Sequence, residues 1–167
     1  MSSQAPRNTF DQPNAMADEL RRLSAYTVLF NEAVAERLGI TLTELKCSSL
    51  LDLHGAMTAG ALADLTGLTT GAITGVIDRL ERAKLARRVA DPHDRRRVIV
   101  EPVRERAGEF DRLYAGLGAA MGALLSQLEP TQLATVRDFI VRTNAVLLAE
   151  SKALRGASRA RALAMGS

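Results

Sequence analysis

Hydrophobic spacing predicts a mainly α-helical chain with one small β-hairpin, in which long helical regions flank a compact unit of short elements. Three observations lead there. Apolar residues recur at helical intervals from Leu20 to Leu38 and again beyond Glu105. Short segments punctuated by Gly and Thr fill the middle. Two brief runs of strand character, Leu85 to Ala90 and Arg97 to Glu101, bracket a polar turn.

Residues 1–12 are rich in Ser, Gln, Pro, Asn and Asp without periodicity, so they read as a mobile arm. A first helix opens at Pro13 or Asn14, carries Leu20, Leu23, Val28, Leu29, Val34 and Leu38, and stops at Gly39. A second should run from about Thr43 to His54, with Thr43 or Thr41 as N-cap. Thr58 to Thr66 and Thr69 or Thr70 to about Lys84 form two short helices around a turn at Gly67 and Leu68. After the hairpin come Glu105 to Leu128 and Thr131 to about Leu154, separated by Glu129-Pro130, where proline suits a helix start. The expected organisation is an arm over 1–12, a dimerisation helix over 13–42, a winged helix-turn-helix over 43–102, dimerisation helices over 103–155 and a frayed tail over 156–167.

A chain of 167 residues can bury a core without staples, and its single cysteine excludes an internal disulfide framework. Met1 to Pro13 is polar with no apolar leader core, so a cytoplasmic protein is expected. The longest uncharged apolar stretch, Leu113 to Leu128, is short, Gly-rich and interrupted by Ser126 and Gln127, so no membrane role is expected. Net charge is only +3, with a pI near 9.5. Its distribution is more telling. Between Arg79 and Arg97 eight Lys and Arg stand against three acids, an excess larger than that of the whole chain.

A helix-turn-helix requires a small residue where two helices cross, a turn residue tolerant of positive φ, and apolar anchors on the second helix. Ala63, Gly67, and Ile73 with Val76 have that spacing. Ile73, Val76, Ile77 and Leu80 form an i, i+3, i+4, i+7 stripe for the core. The opposite face then presents Thr70, Gly71, Thr74, Gly75, Asp78, Arg79 and Arg82. Two glycines inside a helix cost about 1 kcal/mol each relative to alanine, so they point to close approach by something. Either double-stranded DNA or another helix of the same protein meets that requirement. On DNA, Thr69, Thr70 and Thr74 would offer hydroxyls and methyls to base edges while Arg79 and Arg82 reach phosphates. The hairpin tip Asp94-Arg95-Arg96-Arg97 would place guanidinium groups for a narrow minor groove, with Asp94 orienting one of them. Alone, that tip would read as a solvated charged loop.

The stretch from Leu62 to Leu85, followed by Arg87 to Val98, resembles the recognition helix and wing of the multiple antibiotic resistance regulators, the MarR family. The family's Asp-Pro-x-Asp-x-Arg wing turn is matched by Asp91-Pro92-His93-Asp94-Arg95-Arg96. The motif covers about residues 62–100, and the helix order is compatible over 13–155. The resemblance implies a homodimer that binds a pseudo-palindromic operator, usually to repress, in response to a small-molecule effector. It makes Arg96 the minor-groove arginine and Asp94 its partner. It places an effector where the dimerisation helices meet the winged unit, lined by Tyr26, Phe30, His54 and Met57. Two features depart from the family. Ala83-Lys84-Leu85 stands where glycine is common at the end of the recognition helix, and aromatic residues are few, with no Trp.

No cofactor, metal or catalytic site is expected. Cys47 and His54 lie two turns apart on one helix, about 10 Å, too far for a nucleophile and base, so Cys47 reads as a buried structural thiol. His93, beside Asp91 and Asp94, has reason enough to be polar in a turn. Phosphate loops, paired carboxylates and Ser-His-Asp arrangements are missing, which argues against an enzyme. The alternatives to a sequence-specific regulator are a non-specific architectural DNA-binding protein and a winged-helix module that docks on protein.

Overall fold

The structure is a computed structural model that describes residues 13–91, 94 and 97–165, with 13–14 and 157–165 described as backbone only. The expected arm over 1–12 and the wing residues Pro92, His93, Arg95 and Arg96 lie outside the described residues. The elements in order are α1 (Pro13–Leu38), α2 (Leu42–His54), β1 (Met57–Thr58), α3 (Ala59–Thr66), α4 (Thr70–Arg82), β2 (Ala86–Ala90), β3 (Val98–Pro102), α5 (Ala107–Leu125) and α6 (Pro130–Met165).

Each short helix begins on a threonine. Thr41 caps α2 in a reciprocal box, its hydroxyl accepting from the Glu44 N–H at 3.3 Å while its own N–H donates to Glu44 Oε2 at 2.8 Å. Thr58 and Thr69 cap α3 and α4 by accepting from the N–H groups of Ala61 and Ala72. Gly67 ends α3 in the left-handed region at φ 76°, and its N–H reaches the Ala63 carbonyl at 2.7 Å. From there the chain turns through 109° into α4.

β2 and β3 pair antiparallel from Ala86↔Pro102 to Ala90↔Val98. Sequence periodicity missed one strand. Met57 and Thr58 add to the free edge of β3, opposite Val100 and Ile99, giving the order β1-β3-β2. A two-residue strand has no period of its own to detect.

The core of the winged unit is Cys47, Leu51, Leu62, Ala63, Ile73, Val76, Ile77, Leu80, Leu85, Ala86 and Val100. A second cluster joins Val34, Ala35 and Leu38 of α1 to Leu45. Ile40 and Phe110 pack against both, so the two clusters share a seam. One turn before Phe110, Arg106 closes the seam's polar edge. Its guanidinium forks onto Glu109 at 3.0 and 2.7 Å and donates to the Leu38 carbonyl at 3.0 Å and the Ala83 carbonyl at 3.4 Å.

Two expected helix bounds are corrected. α6 continues to Met165, past the end expected near Leu154. The apolar and small residues Ala153, Leu154, Ala160, Ala162, Leu163 and Ala164 favour continuation. α5 starts later and ends earlier than Glu105 to Leu128. The residues expected to line an effector site, Tyr26, Phe30, His54 and Met57, lie at different places in the single chain. Phe30 packs on the α1 cluster with its ring 5.3 Å from Tyr114, Met57 packs on the winged-unit cluster, and Tyr26 and His54 are exposed.

The turn between α4 and β2 carries backbone strain. Lys84 has φ 57°, the one non-glycine residue in the left-handed region among the described residues. Leu85 N–H bonds back to the Leu80 carbonyl at 2.9 Å, so the helix end demands that conformation. The Lys84 Cβ costs about 1–2 kcal/mol there, and the exposed pair with Glu105 offsets little of it. Lys84→Gly should therefore raise the unfolding free energy by about 0.5–1 kcal/mol, net of the extra entropy of unfolded glycine, seen as a higher urea midpoint with an unchanged m-value. A drop in midpoint would show that the Lys84 side chain itself stabilises the turn.

Candidate nucleic-acid interface

α4 is amphipathic in the strict sense that its faces have different tasks. Ile73, Val76, Ile77 and Leu80 are almost wholly buried, while Thr69, Thr70, Gly71, Thr74, Arg79 and Arg82 are exposed and Gly75 is half-buried. A side chain at Gly71 would meet nothing within 4 Å, and one at Gly75 would meet only the Arg79 guanidinium at 3.4 Å. Neither glycine serves packing within the chain. The Thr74 hydroxyl donates to the Thr70 carbonyl at 2.9 Å and keeps its lone pairs outward.

The hairpin is fastened to this helix by a residue that sequence spacing does not single out. Arg88 on β2 pairs with Asp78 at 2.6 Å and with Glu81, and its backbone N–H donates to Glu81 Oε1 at 2.7 Å. Partial burial opposes its charge, yet the two carboxylates outweigh that and raise its pKa above the ordinary arginine value. The signal was present as Asp and Glu at i and i+3 on α4, but the spacing cannot say which arginine they receive. At the tip, the Asp91 N–H donates to the Arg97 carbonyl at 3.1 Å and the Arg97 N–H to the Asp94 carbonyl at 2.9 Å. Asp91 is buried, with Arg97 Nε 3.9 Å from its carboxylate. The expected contact of Asp94 with Arg96 falls on a residue outside those described.

Arg79 does more than face outward. Its Nε pairs with Glu44, whose carboxylate is almost fully buried at the start of α2. Burial pushes the Glu44 pKa up, but the Thr41 N–H and hydroxyl together with Arg79 more than offset it and hold it below the usual carboxylate value. Arg82 makes no ion pair among the described residues, and its Nε donates to the Asp78 carbonyl at 3.3 Å. Cys47 is fully buried, and burial pushes its thiol up, away from reactivity.

This arrangement, a capped helix-turn-helix with a tethered antiparallel wing, agrees with comparison to known proteins. The sequence model of the MarR family matches residues 40–98. The HTH-type transcriptional regulator YcgE of Bacillus subtilis is 34% identical over 150 residues, which are 89% of this chain and 97% of that protein. The chain belongs to the MarR family. Among solved structures, RV1404 of Mycobacterium tuberculosis superposes with a TM-score of 0.61 at 20% identity, covering 86% of this chain and 98% of that one. Apo MarR of E. coli gives 0.54 at 17% identity over 85% and 98%. These likenesses establish the fold. As a MarR-family protein the chain is a DNA-binding transcriptional regulator and not an enzyme. No single helix among its described residues is long and apolar enough to cross a membrane.

Within this MarR-family protein the Glu44–Arg79 pair makes a testable claim about stability. Arg79→Ala leaves a buried carboxylate with only its cap, so unfolding should cost about 1–2 kcal/mol less at neutral pH, a figure reduced for the half-exposed guanidinium. A depressed folded pKa contributes stability above the unfolded value, and that contribution is lost as pH falls through the folded pKa. The difference between wild type and Arg79→Ala should accordingly shrink as Glu44 protonates in acid. Chemical denaturation at stepped pH tests this, and a difference independent of pH would remove Glu44 from the account.

Proposed function

We propose that the protein is a homodimer that binds a pseudo-palindromic duplex site and represses transcription, with release governed by a small effector. The observation that carries this reading is the outward face of α4, where Gly71 and Gly75 weaken the helix without serving the chain's own packing. Major-groove readout by Thr69, Thr70, Gly71, Thr74 and Gly75, with Arg82 and the free edge of the Arg79 guanidinium on phosphates, uses that openness. Arg95 and Arg96 would extend the contact into the minor groove, with Asp94 as the orienting acid.

Dimerisation is supported by apolar surface that one chain leaves open. Leu23, Tyr26 and Leu29 of α1, Leu117, Met121 and Leu124 of α5, and Phe139, Ile140 and Leu147 of α6 are all exposed. α5 has no buried residue at all, which is untenable in water for so apolar a helix without a partner. Two recognition helices would then sit about 34–36 Å apart on one face of DNA. An effector acts where it can change that spacing. A cavity of about 160 Å³ lies at the junction of α2, the wing base and α5, lined by Ser48, Asp52, Leu85, Arg106, Phe110 and Asp111 among others. It is smaller than the roughly 300–1,000 Å³ usual for drug-sized ligands, so an effector seated there is small.

Glycine 71 separates the functions of stability and binding. Gly71→Ala should stabilise the fold by about 0.5–1 kcal/mol while weakening binding to a duplex selected from a random library, measured by fluorescence anisotropy. Unchanged affinity would mean that nothing approaches this face closely. At the wing, Arg96→Ala should reduce selected-duplex binding by about 1–3 kcal/mol and leave circular dichroism unchanged. Asp94→Ala should also weaken binding although it removes a negative charge, and tighter binding would show the wing to act through net charge alone. Light scattering should give twice the 18.0 kDa chain mass at micromolar concentration; a folded monomer would overturn the dimer.

A further inference from the structure

We propose that the C-terminal end of α6 is a further DNA-contacting element, binding the phosphate backbone beside the helix-turn-helix. This rests on the reading of α4 as the groove-facing helix. α6 is 36 residues long and carries its end back to the winged unit. There the aliphatic stem of Arg155 occupies the space that a side chain on Gly67 would need, and the Arg155 Nε and Nη1 lie 3.1 and 3.0 Å from that position. Gly67 is the turn of the helix-turn-helix, two residues before the α4 cap Thr69, so at most about 7 Å of chain separates the glycine that Arg155 packs on from the start of the recognition helix.

The charge at this place has no ion-pair partner among the described residues of the single chain. Arg155 is half-buried and Lys152 exposed, and neither makes an ion pair or hydrogen bond with any described residue. With Asp64, Gly67 and Gly156 they line an open cleft of about 210 Å³, in which Asp64 is the single carboxylate. Beyond Glu150 the sequence holds Lys152, Arg155, Arg159 and Arg161 and no acid, and the helix continues through that stretch to Met165. A solvated guanidinium held against the turn that presents the recognition helix is placed to meet an anion that arrives with the ligand. The phosphates flanking the groove are that anion. Their contacts add affinity and position without reading sequence.

The test is the salt dependence of binding to a duplex selected from a random library and to a shuffled duplex of equal composition. Removing one phosphate contact lowers the slope of log affinity against log salt by about 0.9. With two protomers, Lys152→Gln with Arg155→Gln should lower it by about two to four on both duplexes alike. Arg155→Lys, which keeps the charge, should retain most of the slope. Ending the chain after Gly156 should lower the slope as well. A purely structural role for Arg155 would instead move the melting temperature and leave the slope alone. Slopes within about half a unit of wild type in folded, dimeric Lys152/Arg155 double variants overturn the inference, and Gly71→Glu separates its failure from that of the reading beneath it. If wild type binds both duplexes at about 50 mM salt and Gly71→Glu abolishes binding while the α6 variants keep their slope, only the role of α6 falls. If wild type binds neither duplex, both readings fall together.

Discussion

Arg106 is the residue on which the arrangement of this protein turns. Two helices, α1 and α4, end at the same point, each with carbonyls that have no partner within the helix. Their C-terminal ends also carry partial negative charge, so a cation placed between them is favoured twice, once by hydrogen bonding and once by the two dipoles. The guanidinium answers both the Leu38 and Ala83 carbonyls and is oriented by Glu109 one turn along α5. Its three partners belong to α1, the C-cap of α4 and α5. Arg106 therefore ties the winged unit to the long helices on either side of it, beside the seam formed by Ile40 and Phe110. The small cavity at the junction includes Arg106 in its wall, so a molecule entering there would bear on the same point.

A similar logic runs through the winged unit, where charges face inward before any face outward. Arg79 is tied to Glu44 on α2, Arg88 to Asp78 and Glu81, Arg87 to Glu101 across the hairpin, and Arg97 to Asp91 at the tip. These pairs fasten α4 to α2 and to the hairpin, and join residues within the hairpin, around the apolar core. The excess of positive charge counted along residues 79–97 therefore overstates what reaches DNA. Much of it is balanced by acids folded in from the same or neighbouring elements. Among the described residues of that stretch, Arg82 alone among the Lys and Arg makes no ion pair, and it stands on the exposed face of α4.

Much of this protein was legible in its sequence, because much of it depends on local periods. The stripe Ile73, Val76, Ile77 and Leu80 named the buried face of α4, Ala63 and Gly67 named the turn, and three threonines marked helix starts, all through short local spacings. Glycine at 71 and 75 announced an open face, since a helix with no such task would carry alanine. Cys47, read as a structural thiol because His54 lies too far to activate it, is fully buried. The effector lining rested on family likeness alone, and in the single chain Phe30 and Met57 pack on different clusters while Tyr26 and His54 are exposed.

By itself, then, the sequence determined most helix positions, the hairpin and the faces of α4, because periodicity, capping and turn chemistry act over one or two turns of chain, and its likeness to the MarR family pointed to the class of the protein. Only the tertiary structure decided the partners of the charged groups. Glu44 meets Arg79 across 35 residues and Arg106 meets Leu38 across 68, and any of several arginines would have satisfied the same spacing rules. It likewise decided that Lys84 must hold a left-handed conformation and that Met57 and Thr58 become a strand, since both follow from where other elements lie. A carboxylate selects its guanidinium, and a strand its edge, by proximity in space, and that proximity exists only once the chain has folded.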